Sequence, residues 1–191
     1  MRKPLLIIIN GLPGVGKTTL AKRLGHDLTL PVLCRDEIIE TLFDALDCPT
    51  TGRPTTLGHA GFRLLHYCAG QILATGQDLI VEASMTRPAL ASAEFRQLRQ
   101  AHDFEPLQIS CYADGEVIRQ RFLQRAGTSE RHDCHRDLEF AAQNYDLFTT
   151  GRCEPLDLGG QLIELDTSNF AACDYSGLLH TLRAALIRMA P

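Results

Sequence analysis

The sequence predicts a three-layer α/β sandwich, helices covering both faces of a five-stranded parallel sheet, and three observations predict it. Five short apolar runs alternate with longer amphipathic stretches along the 191 residues, as strands joined by crossover helices do. The first run, LLIII, leads straight into a glycine-rich turn and then a helical repeat. The composition, 45% hydrophobic and 22% charged, is that of an ordinary globular domain and leaves no room for disorder, collagen or a long coiled coil.

The elements follow in order. Residues 5–9 form a buried strand; the run is too short for the ~7–15 apolar residues of a secretory segment, and a glycine turn stands where a cleavage site would be. Over 17–28, Leu20, Leu24 and Leu28 recur every fourth residue, one face of a helix. A second strand at 31–34 is followed by Asp36, suited to cap a helix over 37–46. The stretch 47–56 (DCPTTGRPTT) is rich in Thr, Pro and Gly and reads as a mobile surface loop. A helix over 57–75 ends before Gly76, a third strand covers 79–81, and Pro88 opens a helix over 88–101. A fourth strand at 107–111 precedes a helix over 116–125. Residues 127–137 (GTSERHDCHRD) hold no apolar side chain but a cysteine and form a polar lid. A fifth strand at 162–165 and a helix over 175–189, with Leu178, Leu182 and Leu186 on one face and Asp174 or Ser176 as cap, complete one domain spanning 1–191.

The formal net charge of −4 argues against a non-specific nucleic-acid or anionic-membrane binder, which needs a basic surface. No run reaches the ~18 apolar residues of a membrane helix. Seven cysteines, odd in number and never spaced as CxxC, suit free thiols in a reducing compartment, so the chain is expected in the cytoplasm. Of the 19 basic residues only Lys3, Lys17 and Lys22 are lysines. Any later anion site must be built from guanidinium groups.

Residues 11–18, GLPGVGKT, satisfy G-x-x-x-x-G-K-[ST]. Gly11, Gly14 and Gly16 let the backbone turn tightly, and the N–H groups of the loop through Val15 aim inward at a phosphate. Lys17 reaches the outer phosphate oxygens, Thr18 ligates Mg2+, and Thr19 opens the helix whose N-terminus faces the same anion. No NKxD is present, and the D-x-x-G at 157–160 follows Cys-Glu-Pro and no strand; the base is adenine rather than guanine, and the cofactors are ATP and Mg2+.

Phosphoryl transfer also needs a metal ligand and a group that orients the nucleophile. Glu82 ends the run DLIVE at a strand's C-terminal edge, where ligands of open α/β sheets bind, and would serve Mg2+ through water. Asp36 is the candidate to orient or deprotonate an acceptor hydroxyl, a role compatible with capping. Arg121 and Arg125, four apart on one helix face, lead into the polar lid with Arg131 and are placed to clamp phosphates. Arg119 and Arg136 are weaker candidates. His132, Cys134 and His135 match no strong zinc spacing and are read as lid residues or substrate contacts.

GLPGVGKTTLAKRL, PVLCRDEIIETLFD, LIVEAS, VIRQRFLQRAGTSERHDCH and LIELDTS, in this order, resemble the small P-loop kinases of the nucleoside-monophosphate-kinase-like group. Within it the chain looks like the bacterial predicted-kinase ATPases related to polynucleotide kinase, chloramphenicol phosphotransferase and zeta toxins. The resemblance implies strand order 2-3-1-4-5 and ATP- and Mg2+-dependent transfer to a hydroxyl. It also implies that Asp36 activates the acceptor and that Arg121 and Arg125 are lid arginines. Polynucleotide-kinase-like enzymes carry an arginine three residues after that aspartate; here Ile39 stands there, which points away from a nucleic-acid end and toward a small-molecule acceptor. The alternatives are an ATP-hydrolysing switch without such an acceptor and a toxin-like nucleotide-sugar kinase. Arg53, His59, Arg63, Thr86 and Arg87 are candidates for the acceptor pocket by position.

Overall fold

The computed structural model describes residues 3–49, 54–126, 128, 131–132, 134–135 and 137–188. Arg53, Arg136 and Met189 lie outside the described residues, as do parts of the predicted loop 47–56 and lid 127–137. Five strands, β1 (Leu5–Asn10), β2 (Val32–Cys34), β3 (Leu79–Ala83), β4 (Glu105–Tyr112) and β5 (Gln161–Asp166), form one sheet in the order β2-β3-β1-β4-β5. Every pairing is parallel, so the expected fold class and strand order both hold.

β1 shows why the sheet needs helices on both sides. All six of its residues are buried. Leu5, Ile7 and Ile9 pack with Leu20 and Leu24 of α1 (Lys17–Leu28), while Leu6 and Ile8 pack with Leu65, Ala69 and Leu73 of the longer helix Thr55–Ala74. Alternate side chains of a strand point to opposite faces, and an apolar run therefore demands cover on each.

α2 (Arg35–Ala45) and α3 (Thr55–Ala74) follow β2, with α4 (Pro88–His102) after β3. α5 (Gly115–Arg125) follows β4, and α8 (Tyr175–Arg188) closes the chain. Pro88 stands in the first turn of α4. Of the two predicted caps of α8, Asp174 is the one used: its Oδ1 accepts from the Gly177 amide at 2.9 Å. α2, by contrast, begins at Arg35 with Cys34 in the capping position. Asp36 is therefore in the first helical turn and is not the cap, a place where the helix dipole favours an acid.

Sequence reading missed two short helices, α6 (Asp137–Gln143) and α7 (Tyr145–Thr149). Phe140 and Phe148 from them pack on Phe122 of α5, with ring centroids 5.8 and 5.2 Å away. Each helix is short, so the apolar spacing within it covers less than two turns and carries little periodic signal.

The segment between α7 and β5 is tied down by one buried side chain. Gln108 of β4 donates from Nε2 to the Leu156 carbonyl and accepts at Oε1 from the Leu156 amide, both at 2.9 Å. Gln108→Leu would strand the buried Leu156 amide, at about 1–3 kcal/mol, and leave the Leu156 carbonyl with only the Leu158 amide at 3.1 Å. We expect the thermal midpoint to fall by about 5 °C or more, measured by circular dichroism, with nucleotide binding retained.

Candidate active site

β1 and β4 lie side by side, yet their connections leave in opposite directions, β1 toward β2 and β4 toward β5. The crevice beyond their C-terminal ends is where open α/β sheets bind ligands, and the 11–18 loop opens there. Gly11, Gly14 and Gly16 all take positive φ, at 155°, 89° and 96°. A Cβ at Gly14 would stand 2.8 Å from the Ile118 carbonyl, and one at Gly16 would strike the Phe170 ring. Val15 is fully buried; its amide donates to the Leu12 carbonyl at 3.2 Å, and its own carbonyl accepts from Thr167 Oγ1 at 2.8 Å. Thr19 is exposed at the start of α1.

Below the loop, Glu82 gathers two of the predicted residues. The β3 register sets it beside Ile9 and Cys34, and its carboxylate accepts from Thr18 Oγ1 at 3.0 Å. Lys17 Nζ stands 3.7 Å from the other carboxylate oxygen and donates to the Leu12 carbonyl at 3.0 Å. Both side chains are almost wholly buried, at 6% and 5% exposure. Burial pushes the Glu82 carboxyl above its ordinary range, and the nearby Lys17 charge offsets only part of the rise. A buried carboxylate and a hydroxyl 3.0 Å apart could supply two oxygens to a hard divalent cation, phosphate and water completing the shell. The donor set fits Mg2+.

Asp36 is 41% exposed and lies 3.4 Å from Arg131 Nη1 and 3.5 Å from Arg35 Nη1. Desolvation acts to raise its pKa, but the charges of His135, Arg131 and Arg35 outweigh it and hold the group below the usual carboxylate range. It faces a cavity of about 840 Å3 that runs from Pro13 of the loop past Asp36 and Phe62 to His59 and Arg87. Of the pocket residues predicted by position, His59, Thr86 and Arg87 line this cavity. Arg63 instead lines a separate one of about 290 Å3 between α3 and α4.

The predicted arginine pair separates. Arg121 turns both terminal nitrogens to the Thr167 and Ser168 carbonyls, each at 2.8 Å. It braces the loop after β5 and is not presented with Arg125 to a common anion, a correction to the expected shared clamp. The reason is local: its helical turn lies against that loop, whose carbonyls satisfy the guanidinium. Arg125 is less well satisfied. Its Nε is buried without a hydrogen bond among the described residues, and the nearest carboxylate oxygen of Asp137 is 3.7 Å away. A buried guanidinium N–H without an acceptor suits an anionic partner. Arg131 holds Asp137 in a bidentate pair, Nε at 2.8 Å and Nη2 at 3.2 Å.

Sequence reasoning missed Asp137, which lies at the end of the polar segment and organises both arginines. It also missed Asn10, whose Oδ1 accepts from the amides of Gly11 and Met85 at 2.8 Å each. That bond ties the phosphate loop to the wall of the cavity. An asparagine ending an apolar strand was the available signal. Among the described residues no group of three or more His, Cys, Asp and Glu side chains could hold a metal.

The profile of the family described as AAA domain matches residues 6–145. The chain belongs to that family. Its fold is that of the nucleoside-monophosphate-kinase-like P-loop kinases. A candidate kinase from Chloroflexus aurantiacus J-10-fl is 31% identical, with TM-score 0.87 and 100% of both chains covered. A sugar kinase from a Janibacter species superposes with TM-score 0.59 at 18% identity over 99% of this chain and 96% of that one. The APS kinase of Mycobacterium tuberculosis, in complex with AMPPNP and APS, does so with TM-score 0.59 at 16% identity, covering 96% and 99%. No curated protein matches the chain. In this AAA-domain protein no described helix is long and apolar enough to cross a membrane.

Proposed function

We propose that this protein is an ATP- and Mg2+-dependent kinase that transfers the γ-phosphoryl group to a hydroxyl of a small molecule. The observation that carries the reading is the juxtaposition of the buried Lys17–Glu82–Thr18 cluster with Asp36 on the wall of the cavity that Pro13 also lines. Lys17 and the loop amides hold the phosphates, and Thr18 and Glu82 hold the metal ion. When bound, Mg2+ neutralises phosphate charge and favours displacement at the terminal phosphorus. Asp36, kept ionised by its cationic neighbours, accepts a hydrogen bond from the acceptor hydroxyl and aims its oxygen. A depressed pKa makes it a weak base, which suffices when the proton moves late in a loose transition state. Arg125 offers its unpaired N–H to the transferring group, and Arg121 fixes the loop against which the base lies. A kinase of this size acting in the cytoplasm accords with the free thiol state of all seven cysteines.

Mg2+ and the proton compete for Glu82. Because burial raises its pKa, apparent Mg2+ affinity is expected to weaken as pH falls from neutrality through that raised value. Metal titrations of ATP turnover at several pH values check this, and Glu82→Gln should flatten the dependence. The acceptor is found by an ATP-consumption screen over hydroxylated metabolites and antibiotics, with Lys17→Ala as blank. Turnover stimulated by one chemical class supports the proposal; acceptor-independent ATP hydrolysis unaffected by any compound contradicts it.

A further inference from the structure

The lid and α2 meet along a seam that phosphate binding does not explain. Asp36, Glu40 and Asp44 stand on successive turns of α2, and four-residue spacing puts them on one face. Each meets a lid side chain. Arg131 reaches Asp36 at 3.4 Å and Glu40 at 3.9 Å, His135 Nε2 meets Glu40 Oε1 at 2.8 Å, and His132 Nε2 meets Asp44 at 3.1 Å. His132 also accepts the Cys134 amide at Nδ1, so its ring proton sits on Nε2 and is donated to Asp44. Beside this row, the buried Cys134 packs with Ile39, Phe43 and Leu57.

The three contacts differ in burial. His135 is 5% exposed and Glu40 27%, whereas Asp44 is 69% exposed. Screening leaves an exposed pair little strength, so the Glu40–His135 contact is the main polar anchor. Arg131, for its part, has two unlike edges. Nε and Nη2 are fixed on Asp137 at 2.8 and 3.2 Å, while Nη1 is shared between two acids at longer range, 3.4 and 3.9 Å. An incoming phosphate competes for the long-range edge first, because charge-assisted hydrogen bonds to guanidinium are strongest at about 2.7–2.9 Å. Asp36 must in any case be uncovered to meet a hydroxyl.

We propose that Glu40 is a positioning residue: through His135 it keeps the lid docked on α2 while Nη1 of Arg131 passes from Asp36 to a phosphate. Nucleotide arrival thus frees the acceptor-orienting carboxylate without opening the lid. The proposal rests on the reading that ATP occupies the 11–18 loop, and the test separates the two.

The test is hydrogen exchange by mass spectrometry on the full chain, with and without AMPPNP and Mg2+, reading the lid residues 131–135. In the parent protein, AMPPNP should leave lid protection nearly unchanged. In Glu40→Ala the lid should exchange about tenfold faster with AMPPNP than without it, since neither Glu40 nor Asp36 then holds His135 and Arg131 on α2, and the exposed Asp44–His132 contact alone is weak. Glu40→Gln retains an acceptor for His135 and should behave like the parent, which also guards against a general folding defect. Asp44→Ala should change exchange by less than about twofold. An equal rise in Glu40→Ala with and without AMPPNP, no rise in either state, or a Glu40→Gln variant as impaired as Glu40→Ala would overturn the positioning role. Binding of AMPPNP is checked by calorimetry in the same samples. Failure of the parent to bind it would overturn the nucleotide reading together with this one, whereas binding with an unmoved Glu40→Ala lid overturns this one alone.

Discussion

Replacing Lys17 with alanine is expected to reduce ATP-dependent turnover by about 10²–10³ or more, the scale of removing one preorganised charge partner from a water-poor site. The same change should destabilise the protein, because Glu82 is left buried without its cation 3.7 Å away. Breaking one side of a buried pair costs about 3–5 kcal/mol when the remaining group stays charged. Here the carboxylate has an escape, since burial already raises its pKa. A group whose folded pKa exceeds its unfolded value stabilises the fold below the unfolded value and loses that contribution as pH rises through the folded one. The Lys17→Ala defect should therefore be largest at neutral pH and shrink as pH falls and Glu82 takes up a proton. Thermal melts across pH measure it. Lys17→Ala combined with Glu82→Gln should regain stability without regaining turnover. That outcome would assign the lysine's structural role to charge pairing with Glu82 and its functional role to phosphate.

Asp36→Asn carries the second large effect. Asparagine keeps the size of the side chain and a hydrogen-bonding oxygen but loses the charge that orients a hydroxyl. Phosphoryl transfer should fall by about 10²–10⁴, while ATP affinity, set by the 11–18 loop, should stay within a few-fold. Calorimetry for the nucleotide and a coupled assay for ADP separate the two. Unchanged turnover would remove Asp36 from its assigned place and leave Glu82 as the acid nearest the phosphate loop. Transfer and affinity falling together would instead mean that the charge organises Arg131 and the lid, since Asp36 lies 3.4 Å from that guanidinium.

Much of this site was legible in the sequence because its signals are local. The 11–18 spacing, the apolar run before it and the leucine repeat after it lie within one β-strand, turn and helix. Glu82 was legible because it stands near the C-terminal end of an apolar strand, and ligands of open α/β sheets bind beyond that end. The five strands were likewise short apolar runs between helical repeats. What could not be read was pairing across the fold. Arg121 and Arg125 are equivalent by helical spacing, yet one meets the Thr167 and Ser168 carbonyls and the other the edge of Asp137. Only tertiary packing distinguishes them. Asp36 was expected as a cap of a helix from 37, but the helix starts two residues earlier, at Arg35, and helix ends are set by geometry that sequence resolves poorly. The seam between α2 and the lid joins residues some 90 positions apart, Glu40 with His135 and Asp44 with His132. A four-residue spacing of acids is ordinary on a solvated helix, so nothing local marked those three as a docking row. The short helices α6 and α7 were missed for a similar reason: their helical signal lies in Phe140 and Phe148 meeting Phe122, not in their own periodicity.

The measurement that bears most directly on the proposed chemistry is the fate of the terminal phosphate of ATP, followed by phosphorus NMR with the stimulating acceptor present. A kinase of the kind described here forms a phosphate ester on the acceptor in one-to-one proportion with ADP, and Asp36→Asn forms little of either. ADP accompanied by free inorganic phosphate, at a rate indifferent to every hydroxyl compound offered, would contradict the account and identify an ATP-hydrolysing switch.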